Sequence, residues 1–387
     1  MRSCVLLAAL AAPALAQELN TTYITGLLGA LNGLGLTSLV SVAGSVANNT
    51  NGGTALLAQL SQGSKTVFAP NNEAFGRVPQ NVSSDTGLLT SILSYHIVEG
   101  HYNASDFARE PNHTIVRTYL TNSSLVNLEG GKGQVLVIER DDGNDNDVNI
   151  LFADDDVDVE RTATYENLII HVVDDVLTPP GTISGTVREA ELSGVAGALQ
   201  TANLIAPLEA AQGITIFAPT NQAFSTALAA LGSQAQNASV VGAILANHVI
   251  NGTTVYSTGL TAQSFASAGG QPFSFSTNSS GTYVTSGSSS ARITRADIPV
   301  RNGVIHLIDN VLANTASNPE AAASAVASQS SVAATATSIP GATTAASGST
   351  PSNNASIRTA GTLPGATALF SVLTAGMGAL LGGMLVL

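Results

Sequence analysis

Basic residues and cysteine are both scarce in this chain. Its 387 residues include 13 Lys and Arg against 26 Asp and Glu, which gives a formal net charge of −13 at neutral pH. Proteins that bind nucleic acids carry basic faces, so this balance argues against a nucleic-acid partner. The single cysteine, Cys4, lies in an N-terminal stretch that we expect to be removed. The mature domains are therefore expected to lack disulfides and to be stabilised by apolar burial.

Known catalytic motifs are also missing. The sequence contains no Gly-x-Ser-x-Gly and no His-Glu-x-x-His, and the mature chain has no cysteine to serve as a metal ligand. The segment 130–133, Gly-Gly-Lys-Gly, lacks the rest of a phosphate-binding loop and is better explained as a hairpin turn. No pair of carboxylates stands at a spacing recognisable for glycoside hydrolysis. We therefore expect a protein that is not an enzyme and needs no cofactor.

The strongest positive signal is a ten-residue motif that occurs twice. Residues 66–75 read Thr-Val-Phe-Ala-Pro-Asn-Asn-Glu-Ala-Phe, and residues 215–224 read Thr-Ile-Phe-Ala-Pro-Thr-Asn-Gln-Ala-Phe. Seven of the ten positions are identical, which indicates an internal duplication. In each copy a short strand ends at a proline, and the next residue can cap a helix. The motif predicts a strand-to-helix corner that buries its last residue, Phe75 or Phe224.

Two pairs of histidines recur in the same order in both copies. His96 and His248 each follow a predicted helix, whereas His171 and His306 lie within the apolar strand that closes each copy. Equivalent histidines inside apolar strands favour satisfied core residues over metal or cofactor ligands. For His96 and His248 the same argument favours a structural hydrogen bond, with contact to a partner as the alternative.

The two copies differ in length between these histidines. The interval is 75 residues in the first copy and 58 in the second, so the first carries 17 extra residues. We place this insertion in segment 139–160, which holds ten acidic residues and one arginine. A solvated charged loop is the simplest interpretation. The alternative is a weak Ca²⁺ site, since Ca²⁺ prefers oxygen ligands, and its candidate ligands are Asp141, Asp142, Asp145 and Asp147.

Short motifs predict secretion and glycosylation. Residues 1–16 combine a basic start, an apolar core and a small-x-small end, which is typical of a secretory signal peptide. Sequons of the form Asn-x-Ser/Thr follow along the chain, and we expect several to carry N-glycans. The predicted sites are Asn20, Asn48, Asn81, Asn103, Asn112, Asn122, Asn237, Asn251 and Asn278.

The composition changes towards the C-terminus. Residues 314–357 are dominated by Ala, Ser and Thr, which predicts a disordered stalk without a core. Residues 358–387 end in an apolar tail that no basic residue follows, whereas a spanning helix would normally have flanking charge. We predict a signal for a GPI lipid anchor, with Asn354 as the attachment (ω) site ahead of Gly361 or Ser352. The alternative is a single transmembrane helix.

The corner motif, the Tyr95-His96 step and the closing strands together resemble the fasciclin (FAS1) domain family. The resemblance covers residues 20–313 in two copies. It implies an α+β fold of two tandem FAS1-like, wedge-shaped β-sandwich domains with short helices, followed by the disordered stalk. A tyrosine-histidine motif is linked to integrin binding in animal members, and it maps to Tyr95 and His96. The second copy has Asn247 before His248, and the chain contains no Arg-Gly-Asp. The resemblance thus offers Tyr95, His96 and His248 as partner-binding candidates.

These features define five predicted segments and a predicted role. The segments are the signal peptide 1–16, a first domain 17–179, a second domain 180–313, the stalk 314–357 and the attachment signal 358–387. We expect a secreted, GPI-anchored glycoprotein of the plasma-membrane outer leaflet or cell wall, acting in cell adhesion or in cell-wall or extracellular-matrix organisation. Its expected partners are cell-surface proteins, wall or matrix glycans, or further copies of the same chain. The alternative is a membrane-tethered module of the secretory or vacuolar system acting in trafficking or membrane fusion, and a cell-wall carbohydrate-active enzyme is a third.

Overall fold

The computed structural model describes residues 20–47, 52–141, 143 and 147–336. The predicted signal peptide, the sequon at Asn48, the ω candidate Asn354 and the predicted tail lie outside these residues. Within the described ranges, no helix is both long enough and apolar enough to cross a bilayer.

In its described residues, the first repeat packs six α-helices against a seven-stranded sheet. Its helices are α1 (Thr21–Gly33), α2 (Thr37–Ala47), α3 (Gly53–Leu60), α4 (Asn72–Arg77), α5 (Gln80–Ser83) and α6 (Thr86–Tyr95). Its strands are β1 (Lys65–Pro70), β2 (Ile97–Glu99), β3 (Thr114–Arg117), β4 (Val135–Arg140), β5 (Val148–Ile150), β6 (Val157–Tyr165) and β7 (Leu168–Val173). The strand order across the sheet is β2-β1-β7-β6-β5-β4-β3.

The second repeat has the same architecture with one strand fewer among the described residues. Its helices are α7 (Ile183–Glu189), α8 (Ser193–Thr201), α9 (Ile205–Ala210), α10 (Asn221–Leu231) and α11 (Ala238–Ala246). Its strands are β8 (Ile214–Pro219), β9 (Val249–Asn251), β10 (Phe273–Asn278), β11 (Gly281–Ser286), β12 (Ser289–Val300) and β13 (Gly303–Ile308). The order β9-β8-β13-β12-β11-β10 matches that of the first repeat, and in place of β3 the second repeat has a single antiparallel bridge between Ala266 and Pro272 at the start of β10.

The duplicated motif and the closing strand lie side by side in both sheets. β1 pairs in parallel with β7, which places Phe68 opposite His171, and β8 pairs in parallel with β13, which places Phe217 opposite His306. Successive residues of a strand point to opposite faces, so each strand supplies two apolar clusters. In the first repeat, Phe68 belongs to one cluster and its neighbour Ala69 to the cluster beneath helices α1 to α3.

Helices α4 and α10 begin at the predicted caps. Oδ1 of Asn71 accepts the N–H of Ala74 at 2.8 Å, and Oγ1 of Thr220 accepts the N–H of Ala223 at 3.3 Å. Each bond satisfies one of the free N–H groups at a helix start. The predicted strand-to-helix corner is therefore confirmed in both repeats.

The aromatic residue that fills each core is the first phenylalanine of the motif, not the last. Phe68 and Phe217 are fully buried. Phe75 and Phe224, which we predicted to be buried, are only half-buried, so that prediction is wrong. The physical reason is that α4 and α10 lie on the surface, and the position of each helix that faces the core is the preceding alanine.

The segment predicted as a stalk contains a helix. Helix α12 spans Pro319–Thr335, and Oδ1 of Asn318 caps it by accepting the N–H of Ala321 at 3.0 Å. The expectation of disorder from residue 314 is therefore corrected over these residues, and residues 337–357 lie outside the described ranges. Alanine is the best helix former, but the Ala and Ser of this helix give it no distinct apolar face that sequence periodicity could reveal.

The extra residues of the first repeat also lie elsewhere than predicted. Between β2 and β4 there are 35 residues, whereas the equivalent interval between β9 and β10 has 21. This interval accounts for 14 of the 17 extra residues, so the insertion is not the acidic segment 139–160. Residues 100–134 contain these 14 extra residues, and we name this whole interval the inserted segment. It forms β3 and two short 3-10 helices, Ala104–Asp106 and Glu129–Gly131.

Candidate functional site between the repeats

Tyr95 and His96, which the resemblance offered as partner-binding residues, are buried inside the first repeat. The Tyr95 hydroxyl donates to the carbonyl of Val135 at 3.0 Å. The N–H of Leu177 donates to Nε2 of His96 at 3.0 Å, so Nδ1 carries the proton and donates to the carbonyl of Ile92 at 2.8 Å. Because both ring nitrogens are used within the domain, neither side chain offers a surface to a partner in this arrangement.

His248 makes the equivalent contacts in the second repeat. Its Nε2 accepts the N–H of Leu312 at 3.0 Å, and its Nδ1 donates to the carbonyl of Ile244 at 2.8 Å. Burial lowers the pKa of both His96 and His248 to about 4, although the hydrogen bond to the carbonyl opposes this shift. Both imidazoles are therefore neutral at neutral pH. The matching contacts favour the structural alternative over contact with a partner.

The histidines of the closing strands are satisfied core residues, as the sequence predicted. Nδ1 of His171 lies 2.8 Å from Oγ1 of Thr162, and its Nε2 lies 2.8 Å from the carbonyl of Tyr102. His306 likewise uses both ring nitrogens. Each ring stacks on the buried phenylalanine of its own corner, with centroids 5.4 Å apart in the first repeat and 5.5 Å in the second.

Sequence reasoning missed the role of the identical threonine in the motif. Oγ1 of Thr66 donates to the carbonyl of Gly100 at 2.8 Å and accepts the N–H of Tyr102 at 2.9 Å. Thr215 makes the same pair of bonds to the loop after β9. This threonine fixes the loop that follows the second strand of each repeat.

The identical asparagine of the motif also has a role that sequence reasoning missed. Oδ1 of Asn72 accepts the N–H of Ser38 at the start of α2, at 2.9 Å, and Oδ1 of Asn221 accepts the N–H of Gly194 at the start of α8, at 3.0 Å. Each asparagine therefore supplies a helix cap from a distant part of the chain. The sequence did contain a signal for this role, because the same polar residue occupies the equivalent position in both copies.

The inserted segment and β4 form much of the contact between the repeats. An apolar cluster crosses the boundary, and its members are at most 3% exposed: Ile115, Val135 and Val137 from the first repeat, and Tyr256 and Val304 from the second. Burying one large apolar side chain stabilises by about 1.5–3 kcal/mol. The cluster is therefore a substantial contribution to holding the repeats together.

A buried ion network lies at the same boundary. Nδ1 of His113, in the inserted segment, is 2.7 Å from Oδ2 of Asp297 in β12, and Nε2 is 3.5 Å from a carboxylate oxygen of Glu139. Burial alone would lower the pKa of His113. The hydrogen bonds and charges of Asp297 and Glu139 outweigh burial and raise this pKa to about 9. His113 is therefore a cation at neutral pH, placed between one carboxylate of each repeat.

Asp297 has an unusual backbone conformation that positions its carboxylate. Its φ is +61°, and it lies where the pairing of β12 with β13 shifts register. Such a conformation costs free energy in a residue other than glycine, so the surrounding contacts must hold it. Asp297 accepts the N–H of Ser257 at 2.7 Å, and its own N–H donates to Nδ1 of His306 at 3.2 Å. The core histidine of the second repeat thus supports the residue that contacts the first.

Further hydrogen bonds cross the boundary between the repeats. Several involve backbone groups, which do not depend on the side chain present. They join Asn127 N–H to the Arg301 carbonyl at 2.8 Å, Gln134 Nε2 to the Val300 carbonyl at 3.0 Å, Thr254 Oγ1 to Glu129 at 2.8 Å and an Arg295 nitrogen to the Ala153 carbonyl at 3.0 Å.

Helix α12 contacts both repeats. Nδ2 of Asn247 in the second repeat donates to the carbonyls of Asn314 and Ala316, each at 2.9 Å, just before the helix. Lys132 of the inserted segment donates to the carbonyl of Ala333 in the last turn. A cation at this end also complements the helix dipole. The helix therefore bridges the second repeat and the inserted segment.

Two glycines allow α12 to approach the repeats closely. A Cβ on Gly252 in the second repeat would collide with Ser330, and one on Gly130 in the inserted segment would lie 3.0 Å from Ala334. Both glycines have positive φ, of 91° and 69°, a conformation that other residues rarely adopt. The surface beneath α12 is therefore shaped to receive a helix.

Most predicted glycosylation sites in the described residues are exposed, as occupied sites must be. Asn251 is the exception, since it is half-buried on β9, next to α12. The exposed asparagines are Asn20, Asn81, Asn103, Asn112, Asn122, Asn237 and Asn278. Their occupancy stays a prediction.

The candidate calcium ligands are described only in part. The N–H of Asp141 donates to the carbonyl of Asp147 at 3.0 Å, which closes a turn, while Asp142 and Asp145 lie outside the described residues. Within the described ranges, no group of three or more His, Cys, Asp or Glu is arranged to hold a metal ion. The calcium hypothesis stays a prediction.

Comparisons with known proteins match the duplicated architecture. The Fasciclin domain profile matches residues 47–179 and 190–314. The chain is 31% identical over 256 residues to a fasciclin-like arabinogalactan protein of Arthroderma benhamiae, an alignment that covers 64% of this chain and 58% of that protein. It is 23% identical over 255 residues to the fasciclin-like arabinogalactan protein elcF of Phaeosphaeria nodorum, covering 64% and 77% of the two chains. It is 27% identical over 259 residues to periostin of Homo sapiens, covering 65% and 28%.

A solved structure of a FAS1 domain pair from the insect cell adhesion molecule Fasciclin I also aligns with this chain. The alignment covers 71% of this chain and 96% of that one, with 19% identity and a TM-score of 0.35. The chain spans less than two thirds of the length of the Arthroderma relative. The profile matches, by contrast, include most of both repeats. The chain belongs to the Fasciclin domain family, and each repeat contains one fasciclin domain.

Proposed function

We propose that this protein acts in cell adhesion or in the organisation of a cell wall or matrix, as a secreted glycoprotein held at the cell surface by a GPI anchor. The observation that carries the proposal is the pair of fasciclin domains over residues 47–314. This family implies adhesion and matrix organisation, and two of the relatives are named as fasciclin-like arabinogalactan proteins.

The boundary between the repeats supports this role. The apolar cluster and the His113–Asp297 pair bind the repeats to each other, so the domains would be presented to a partner as a pair. Weak contacts suffice in adhesion when many copies on one surface engage many on another, because the linked contacts multiply. The seven exposed sequons would place glycans on both repeats.

Treatment of intact cells with a GPI-specific phospholipase C tests the anchor. We expect the protein to be released into the medium. Replacing the ω candidate, Asn354→Leu, should reduce surface display, whereas Asn353→Leu is the matched control beside it. Retention with vacuolar membranes after the treatment would contradict surface anchoring and favour the trafficking alternative.

Beads coated with the secreted chain test adhesion separately. We expect them to bind cells or wall fragments, with binding that rises steeply with coating density because it is multivalent. Beads that bind neither surface at any density would contradict the adhesion role. Turnover of wall polysaccharides by the purified protein would instead support an enzyme.

A further inference from the structure

A cavity of about 130 Å³ lies where the inserted segment, the second repeat and α12 meet. Its walls include Arg117 and Lys132 from the inserted segment, Thr254 and Phe265 from the second repeat, and Val332 from α12. A cavity of about 150 Å³ accommodates benzene in an engineered protein. The volume therefore suits one six-membered ring that reaches towards solvent.

Arg117 provides this cavity with unused hydrogen-bond donors. One guanidinium nitrogen donates to the carbonyl of Gly133 at 2.9 Å. The ion pairs of the described residues do not include Arg117, whose planar guanidinium carries five N–H donors. This geometry matches a carboxylate, which arginine binds through two parallel hydrogen bonds.

The remaining charges in the cavity leave it with an excess positive charge. Glu129, the acidic residue among its walls, lies 3.6 Å from Lys132 and accepts the hydroxyl of Thr254 at 2.8 Å. Burial lowers the pKa of Lys132; the charge of Glu129 opposes this, and that of Arg117 adds to it. Two cations thus share the site with one carboxylate, and a bound anion would restore the balance.

The rim of the cavity combines polar and apolar groups. Gln263, Ser264 and Ser328 are exposed and line it, and they offer amide and hydroxyl groups. Phe265 and the 52% exposed Val332 supply apolar surface. A ligand that fits all of these groups carries a carboxylate, several hydroxyls and a C–H face on one small ring.

We propose that this cavity binds a sugar acid of the hexuronate class, either as a free monosaccharide or as the end residue of an acidic glycan. The carboxylate pairs with Arg117, the ring packs against Phe265 and Val332, and hydroxyls face the polar rim. Because α12 forms one wall, ligand binding also stabilises this helix against the repeats. The proposal concerns binding alone and does not depend on the adhesion role.

Calorimetric titration of the purified full-length protein with glucuronate tests the proposal, with glucose and acetate as matched ligands that lack the carboxylate or the ring. We expect glucuronate to bind more tightly than either. Arg117→Gln should weaken glucuronate binding by about tenfold or more, since hydrogen bonds between charged partners are lost. Arg77→Gln, on α4 and outside the cavity, is the control. Ser328→Phe, at an exposed position of α12, should block the site without touching a core.

Several outcomes would overturn the proposal. The first is that titration with millimolar glucuronate releases or absorbs no heat. The second is that glucose or acetate binds as tightly as glucuronate. The third is that Arg117→Gln and Ser328→Phe both fold and bind glucuronate with unchanged affinity. A hexuronate oligomer separates the two sources of ligand. Tighter binding than the monosaccharide supports a glycan end, and equal binding supports the free sugar acid.

Discussion

The first repeat differs from the second chiefly in one interval, and that interval faces the second repeat. Both repeats build their core from the same corner, with Phe68 stacked on His171 and Phe217 stacked on His306. The inserted segment, by contrast, is 14 residues longer than the matching interval of the second repeat, and it supplies His113, Arg117 and the first-repeat residues that contact α12. Identity between the repeats therefore marks what each domain needs to fold. The residues that differ between the repeats, in the inserted segment, form much of the contact between the two domains.

The largest effect should come from the shared core. Phe68→Ala and Phe217→Ala should each lower the free energy of unfolding by about 3–5 kcal/mol, as expected for a buried aromatic side chain. Phe75→Ala and Phe224→Ala should cost about 1–2 kcal/mol, because these rings are half-buried. Urea unfolding followed by circular dichroism measures all four variants. Equal losses for the first and last phenylalanine of the motif would contradict this assignment.

The pH dependence of stability should separate the boundary histidine from the core histidines. The pKa of His113 is about 9 in the folded chain against 6.5 unperturbed, so its contribution is complete below pH 6.5 and is lost as pH rises through about 9. This shift corresponds to roughly 3 kcal/mol, at about 1.4 kcal/mol for each pKa unit. The groups that face this ring are Glu139 and Asp297, and His306 lies behind Asp297.

His113→Gln is the variant that isolates this contribution. The stability difference between wild type and variant should be largest near pH 6 and vanish at alkaline pH. His96 and His248, with pKa values of about 4, destabilise both proteins as pH falls below 6.5, so they cancel in the difference. A difference that does not change with pH would show that His113 is not a buried cation.

A smaller and equal effect is expected from the asparagine that both motifs share. Asn72→Ala and Asn221→Ala should each cost about 1 kcal/mol, because each removes a helix cap. Glu73→Ala and Gln222→Ala, at the exposed neighbouring positions, are the controls and should change stability little. Thermal unfolding of these four variants and the wild type measures the stability changes. A clear loss in one repeat alone would show that the identity reflects ancestry and not a shared contact.

The smallest effect concerns glycosylation, where the second repeat contains both a half-buried site and exposed sites. Asn251 is half-buried beside α12, whereas Asn237 and Asn278 of the same repeat are exposed. We expect peptide mass spectrometry to find glycans on the exposed pair and none on Asn251. Full occupancy of Asn251 would show that α12 is not docked when the glycan is added.

The sequence predicted the corner and the closing strands because those features are local. Proline ends β1 and β8, Asn71 and Thr220 cap the next helices, and alternation fills both faces of the sheet. The degree of burial of the Phe75 side chain could not be predicted in the same way. A motif shows that an aromatic residue recurs, but the packing of a short surface helix decides how much of the ring is covered.

The misplaced insertion has a similar cause. Segment 139–160 is conspicuous because it is acidic, whereas the inserted segment has an ordinary composition. The spacing of the histidines gave the number of extra residues but not their position, which only the strand pairing fixes. The site between the repeats was equally hidden, since His113 and Asp297 are 184 residues apart in the sequence. Helix α12 was missed because its Ala and Ser give it no distinct apolar face, and the two glycines that it approaches lie in other parts of the chain.

A double-mutant cycle between His113 and Asp297 tests most directly whether the inserted segment binds the second repeat. The free energy of unfolding is measured for the wild type, His113→Ala, Asp297→Ala and the double variant. Because the two charges are buried and in contact, we predict a coupling energy above about 1 kcal/mol. Single losses that add to within about 0.5 kcal/mol would contradict the account, because independent sites behave in that way.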